Sequence, residues 1–125
     1  RISKRQGQII RISLNYSGIK SLAGFPLQCT RAKVLFLSFN HLTSLKGIER
    51  FQEAEQISLT HNNISEFEEL ALLPKSIKTI SLRGNKVTEA VSFRQRLIAL
   101  FPHLCEIDGE SISADEKDEV EAKRC

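Results

Sequence analysis

Two apolar residues separated by one position recur four times in this chain: Ile12 and Leu14, Leu35 and Leu37, Ile57 and Leu59, Ile80 and Leu82. The steps between copies are 23, 22 and 23 residues. A period this regular marks stacked, self-similar units. Within each copy the alternation points both apolar side chains to one side of a short strand and the residue between them to the other. A lone strand cannot bury that side. Strands laid side by side can, backed by a continuous core, so the pattern predicts a parallel ribbon built from repeats.

Three residues after the second apolar position stand Ser17, Asn40, Asn62 and Asn85, and two further on Ile19, Leu42, Ile64 and Val87. An Asn where the chain turns out of a strand can satisfy backbone N–H and C=O groups that the turn leaves unpaired. Asn40, Asn62 and Asn85 are therefore expected to be structural. From Asn40 onward the apolar positions are Leu42, Leu45, Ile48, Phe51 and Ala54, a step of three that suits a turn-rich or 3₁₀-like return. The next interval runs Ile64, Phe67, Leu70, Leu73 and Ile77, with one extra residue beside Pro74, and Cys29 falls where Phe51 and Leu73 fall. With Leu37-Ser-Phe-Asn-His-Leu, Leu59-Thr-His-Asn-Asn-Ile and Leu82-Arg-Gly-Asn-Lys-Val, the chain resembles leucine-rich repeat proteins. Among them it is similar to the short subtype of about 22 residues found in intracellular proteins, a phosphatase regulatory subunit included. The resemblance implies an α/β solenoid with four short parallel strands on the concave face, turns and 3₁₀ segments on the convex side, and a C-terminal cap helix.

The cap has its own signature. Phe93-Arg94 is followed by Leu97, Ile98, Leu100 and Phe101 at helical spacing, then by Phe101-Pro102-His103-Leu104 and Ile107-Asp108-Gly109. This resembles the cap that closes many intracellular leucine-rich arrays, with Phe93 in place of the usual Tyr and Ile107 in place of the usual Leu. Phe93, Pro102 and Asp108 are its expected structural residues. An amphipathic helix over the last repeat covers an apolar edge, and Asp108-Gly109 turns the chain. Ser113-Ala-Asp-Glu116 is a capping-box match. A charged helix is expected from Ser113, either an exposed tail or the start of a longer helix or coiled coil. The expected division is a basic segment over 1–8, the array with its cap over 9–109 (cap 88–109), and a charged, truncated tail helix over 110–125. The chain contains no Met, which points to an excised domain, although loss of a start residue or targeting segment would look the same.

Composition excludes several classes. Cys29, Cys105 and Cys125 make no disulfide framework, and the cysteine-rich caps usual in extracellular leucine-rich repeats are missing, so a reducing compartment is favoured. Asn15-Tyr-Ser17 and Asn63-Ile-Ser65 match the glycosylation acceptor pattern, but such triplets are common by chance. No apolar run reaches the length of a membrane helix. The net charge is +3, with Lys75, Lys78, Arg83, Lys86, Arg94 and Arg96 gathered near the last repeat. Because that cluster lacks the aromatic interleaving of a single-strand platform, nucleic acid is not an expected partner. His41, His61 and His103 sit in no metal-binding spacing, and neither a phosphate loop nor a nucleophile elbow is present. No cofactor and no catalysis are expected.

What remains is an interaction module. A repeat array offers a preformed surface whose rows lie about 4.8 Å apart along the sheet. The outward rows are Arg11, Ser13 and Asn15; Val34, Phe36 and Ser38; Gln56, Ser58 and Thr60; Thr79, Ser81 and Arg83. Only the second is apolar. Val34 and Phe36 are the expected anchors for a protein on the concave face, with Gln56 beside them and Arg11 and Arg83 at the margins for acidic groups. The alternatives are that singly exposed apolar residues are ordinary, or that the N-terminal segment folds over this row. The resemblance implies a cytoplasmic scaffold of centrosomal, ciliary or other cytoskeletal type, self-associating through a continued C-terminal helix. Its alternatives are a nuclear ribonucleoprotein adaptor resembling the spliceosomal A-prime protein, or a phosphatase-regulatory adaptor.

Overall fold

The computed structural model describes residues 2–5 and 8–124. Expectations that rest on Arg1 in the segment 1–8, and on Cys125 at the chain end, lie outside the described residues.

Seven strands form one sheet in chain order: β1 (Ile2–Arg5), β2 (Gln8–Ser13), β3 (Val34–Phe36), β4 (Gln56–Ser58), β5 (Thr79–Ser81), β6 (Glu106–Ile107) and β7 (Glu110–Ser111). From β2 to β6 every pairing is parallel, and the register sets Ile12, Leu35, Ile57, Ile80 and Ile107 abreast. To the four expected strands the cap thus adds a fifth parallel rung. The ladder outruns the strands: Leu37 N–H donates to Ser58 O at 2.9 Å and Leu59 N–H to Ser81 O at 2.8 Å. Antiparallel strands finish both ends. β1 pairs with β2 (Ile2 opposite Ile12) and β7 with β6 (Ile107 opposite Glu110). β1 therefore extends the sheet beside β2 and does not fold over the row of Val34 and Phe36.

Each strand returns through a short 3₁₀ segment on the convex side: Leu27–Arg31, Ile48–Arg50, Phe67–Leu72 and Lys86–Glu89. The step-of-three residues fill the space between these segments and the sheet. Leu45, Ile48, Phe51, Ala54 and Leu70 are fully or almost fully buried, and Cys29 is buried in the place that Phe51 takes one repeat later. Cys105 is exposed, its thiol 3.3 Å from the His103 carbonyl oxygen.

Leaving the strand requires a left-handed residue in every copy: Tyr16 (φ 57°), Phe39 (58°), His61 (56°) and Gly84 (85°). In the last three copies the next residue, an Asn, then turns inward, while Ser17 in the first is exposed. Asn62 is buried, its Oδ1 accepting from Leu42 N–H at 3.1 Å and its Nδ2 donating to Leu37 and Leu59 carbonyls, both at 3.0 Å. Asn85 repeats the arrangement with Ile64 N–H, Leu59 O and Leu82 O. Asn40 serves Ser17 and Ile19 N–H and the Leu14 and Leu37 carbonyls. Each amide thus ties its own turn to the preceding repeat. The last turn is closed by Asp108, whose Oδ1 accepts from Leu82 and Arg83 N–H at 2.7 and 2.9 Å. Asp108 and Gly109 both have positive φ (50° and 83°), the geometry of a tight two-residue hairpin between β6 and β7.

The cap helix α1 (Phe93–Leu100) buries Leu97 and Ile98 against the fourth repeat, with Phe101 and Leu104 behind it. Phe93 is half-buried and meets Phe67 edge-on at 6.3 Å. Pro102 is exposed just past the helix end, where its missing N–H discourages a further turn. Helix α2 (Ala114–Arg124) starts where Ser113 Oγ accepts from Glu116 N–H at 3.1 Å. The exposed-tail reading is corrected here: α2 packs on α1, Val120 is buried, and Arg94 holds Glu116 through two hydrogen bonds of 2.7 and 3.0 Å. Arg94 also donates to Ser111 O at 3.0 Å. One buried apolar residue suffices because the planar guanidinium grips the carboxylate at two points.

Two outcomes follow. Asn62→Ala leaves buried backbone groups unpaired and is expected to cost about 1–3 kcal/mol in urea unfolding, whereas Asn63→Ala, at an exposed site, stays close to the parent; equal midpoints for all three would contradict the role given to Asn62. The hydrogen bond from Arg94 holds the Glu116 carboxyl below its ordinary value of 4.5. A depressed folded-state value means stability that is present above pH 4.5 and lost as pH falls through the folded value. The thermal advantage of wild type over Glu116→Gln should therefore shrink on acidification, and an advantage that does not change with pH would exclude the ion pair as its source.

Candidate functional site

The parallel register arranges the outward residues in lines across the sheet. Arg11, Val34, Gln56, Thr79 and Glu106 form one line, and Ser13, Phe36, Ser58 and Ser81 the next. Because Ile12, Leu35, Ile57 and Ile80 point into the core, these lines face the other way. Val34 and Phe36 are half-buried at the centre of small polar neighbours, and Gln56 is exposed beside Val34.

Three placements differ from the sequence expectation. Phe36 is not bare: the Arg11 guanidinium lies over its ring, 5.2 Å from the centroid. Such a cation stacks on the electron-rich face, so Arg11 is part of the apolar patch as well as a cation at its margin. Arg83 is exposed but anchored, its Nη2 donating to Asp108 O at 3.1 Å. Ser38, placed with the outward row, is buried, its Oγ sharing a 2.7 Å hydrogen bond with Ser58 Oγ and accepting from Thr60 N–H at 3.2 Å. Its hydroxyl still meets the outward-facing Ser58, so the small side chain is covered by its neighbours and not turned into the core.

At the strand entrances Glu55 lies between Lys33 and Lys78, at 3.8 and 3.9 Å. Glu55 offsets part of the lysine charge along that margin, and Arg11 and Arg83 add cations to either side of the apolar pair. Among the described residues no group of three or more His, Cys, Asp or Glu side chains is placed to hold a metal ion. No helix among them is long and apolar enough to cross a membrane.

The fold also brings together three rings that lie far apart in the sequence. Tyr16 and Phe39 stack with ring centroids 4.4 Å apart and planes 8° from parallel, and Phe39 and His61 follow at 4.7 Å and 22°. These are the left-handed positions of three successive repeats. In the fourth that position is Gly84, where a Cβ would collide with the His61 imidazole. The signal was present as the same 23, 22 and 23 spacing one residue ahead of Ser17, Asn40, Asn62 and Asn85.

No family model matches the chain. It is 29% identical over 86 residues to U2 small nuclear ribonucleoprotein A' of Saccharomyces cerevisiae, covering 66% of this chain and 36% of that protein. It is 32% identical over 96 residues to leucine-rich repeat-containing protein 56 of Mus musculus, covering 77% of this chain and 17% of that protein. The chain therefore spans no more than 36% of the length of these two curated relatives. Among solved structures it is similar to a chain of the Drosophila melanogaster SNF/U2A' complex, with a TM-score of 0.79, 26% identity, and coverage of 92% of this chain and 68% of that one. A leucine-rich repeat protein of Leptospira interrogans matches with a TM-score of 0.60 and 25% identity, over 79% of this chain and 25% of that one.

Gly84→Ala should strain the turn twice, through its positive φ and through contact with His61. A destabilisation of about 1–3 kcal/mol is expected, reduced in the background of His61→Asn, which removes the ring. Equal costs in the two backgrounds would show that the column does not bear on Gly84.

Proposed function

Because the chain is a leucine-rich repeat protein, a non-catalytic interaction module, we propose that its concave sheet docks a protein partner on Phe36 and Val34. The observation that carries this reading is the apolar pair, with the Arg11 guanidinium over the Phe36 ring and Ser13, Ser58 and Gln56 on the neighbouring strands. An aromatic and an Arg stacked within a small polar surround have the composition of an interface anchor and its rim. The sheet is held by its own ladder, so docking on it requires little ordering. Arg83, steadied by Asp108, supplies a second cation for acidic groups of the partner.

The finer reading is a ribonucleoprotein adaptor that works in the nucleus. It is supported by the similarity to the SNF/U2A' complex along 92% of this chain and by the yeast U2 relative. By analogy with that complex, the partner is an SNF-like protein. A second reading, a cytoplasmic scaffold of centrosomal, ciliary or other cytoskeletal type, draws on the charged helix α2 that follows the cap. In that case a continuation of α2 joins copies of the chain while the concave face holds the partner.

Affinity recovery from cell extract with wild type and Phe36→Glu separates these ideas. The proposal expects an SNF-like subunit with wild type and about tenfold less with the variant, at unchanged circular dichroism. Equal recovery would move docking away from Phe36. Recovery of cytoskeletal proteins in place of the ribonucleoprotein subunit, with the same sensitivity to Phe36→Glu, would favour the second reading.

A further inference from the structure

The column of Tyr16, Phe39 and His61 is closed at one end and open at the other. His61 rests against Gly84. At the opposite end Tyr16 is 74% exposed, and among the described residues its one ring partner is Phe39. One face of the phenol ring thus has no ring partner among the described residues, and Phe39 and His61 beside it are exposed as well. Ring edges are the positive part of the aromatic quadrupole. The loops that carry the column, residues 15–20, 38–43, 60–65 and 83–88, contain no Asp or Glu and do contain Lys20, Arg83 and Lys86. Asp108 lies against Arg83 at the last turn, so the ledge favours negative charge through Lys20 and Lys86, and a flat π system at its open end.

A linear polyanion bearing planar rings meets both demands at once. We infer that this ledge binds single-stranded nucleic acid, with one base stacked on the free face of Tyr16 and the phosphates following the ring edges toward Lys86. An acidic peptide would satisfy the charge but brings no flat group for Tyr16 as a matter of course. A duplex already stacks its bases internally and has none to spare. Combined aromatic stacking and positive charge is how single strands are held without sequence preference. The linear sequence hides this because its basic cluster has a single aromatic, Phe93, between the charges. The interleaving arises only when residues 22 and 23 positions apart are stacked by the repeat. The ledge lies at the exit ends of the strands and shares Arg83 with the proposed docking face but neither Val34 nor Phe36, so this inference does not depend on the docking proposed for that pair.

The chain offers a direct probe, since Tyr16 is its one tyrosine and it has no tryptophan. Titration with a fluorescein-labelled oligouridylate of about 12 nucleotides should raise anisotropy, and the unlabelled strand should quench tyrosine emission in parallel. Tyr16→Asn keeps a residue that tolerates positive φ and should weaken binding about tenfold. Tyr16→Trp should retain it, and Val91→Ala, at an exposed apolar site elsewhere, should leave it unchanged. The inference is overturned by absence of binding, by a Tyr16→Asn variant that binds as wild type does, or by a duplex that binds as well as the single strand. Quenching of Tyr16 by an acidic aromatic peptide but not by the oligonucleotide would assign the ledge to protein instead.

Discussion

The structure depends on what happens to the backbone where each strand ends. A parallel sheet of three-residue strands leaves peptide groups pointing inward at every exit turn, and buried peptide groups without partners cost about 1–3 kcal/mol each. A single Asn side chain resolves this, since an amide carries both an acceptor and two donors. Asn62 accepts from Leu42 N–H of the preceding repeat and donates to carbonyls of that repeat and its own. The turns of adjacent repeats are consequently linked by side chains as well as by the strand ladder. A Leu core alone would hold the layers together without fixing the turns; the amide ladder fixes them, and with them the flatness of the concave face and the stacking of Tyr16, Phe39 and His61.

The array needs different chemistry where the repetition stops. In the earlier repeats the N–H groups of Leu37 and Leu59 donate to the next strand's backbone carbonyls; at the C-terminal end the carboxylate of Asp108 takes that place for Leu82 and also accepts from Arg83 N–H. A carboxylate suits a terminus that has donors to satisfy and no next carbonyl row to meet. Beyond it α2 is held by the two-point contact of Arg94 with Glu116 and by Val120. Phe93 and Arg94 therefore act in different directions: the ring packs back on Phe67 of the array, and the guanidinium reaches forward to α2.

The sequence made the repeating parts of the fold legible because each rung uses the same residue class at the same spacing. The register from Ile12 to Ile80 follows from that spacing alone. The period also sets Asn40, Asn62 and Asn85 apart as one class, but which carbonyls each amide meets depends on the repeat before it. Parts that occur once were harder to read. Strand β1 is short and lies in a polar segment, and the docking of α2 rests on one Val and on a pair of charges 22 residues apart. The position of Arg11 over Phe36 requires the exact alignment of β2 with β3. The ring column escaped notice for a different reason: Tyr, Phe, His and Gly share no class, and what they share is a backbone conformation that residue type does not reveal.

A face held in this way should open only with the whole array. Native-state hydrogen exchange at the amides of Leu42, Ile64 and Leu82, which donate to Asn62, Asn85 and Asp108, tests this most directly. If the side-chain ladder makes the turns one cooperative unit, the three amides exchange with the same free energy, equal to that of global unfolding. A graded series, with turns opening one after another well below the global value, would show that the repeats are held by their cores alone and that the concave face is not preformed.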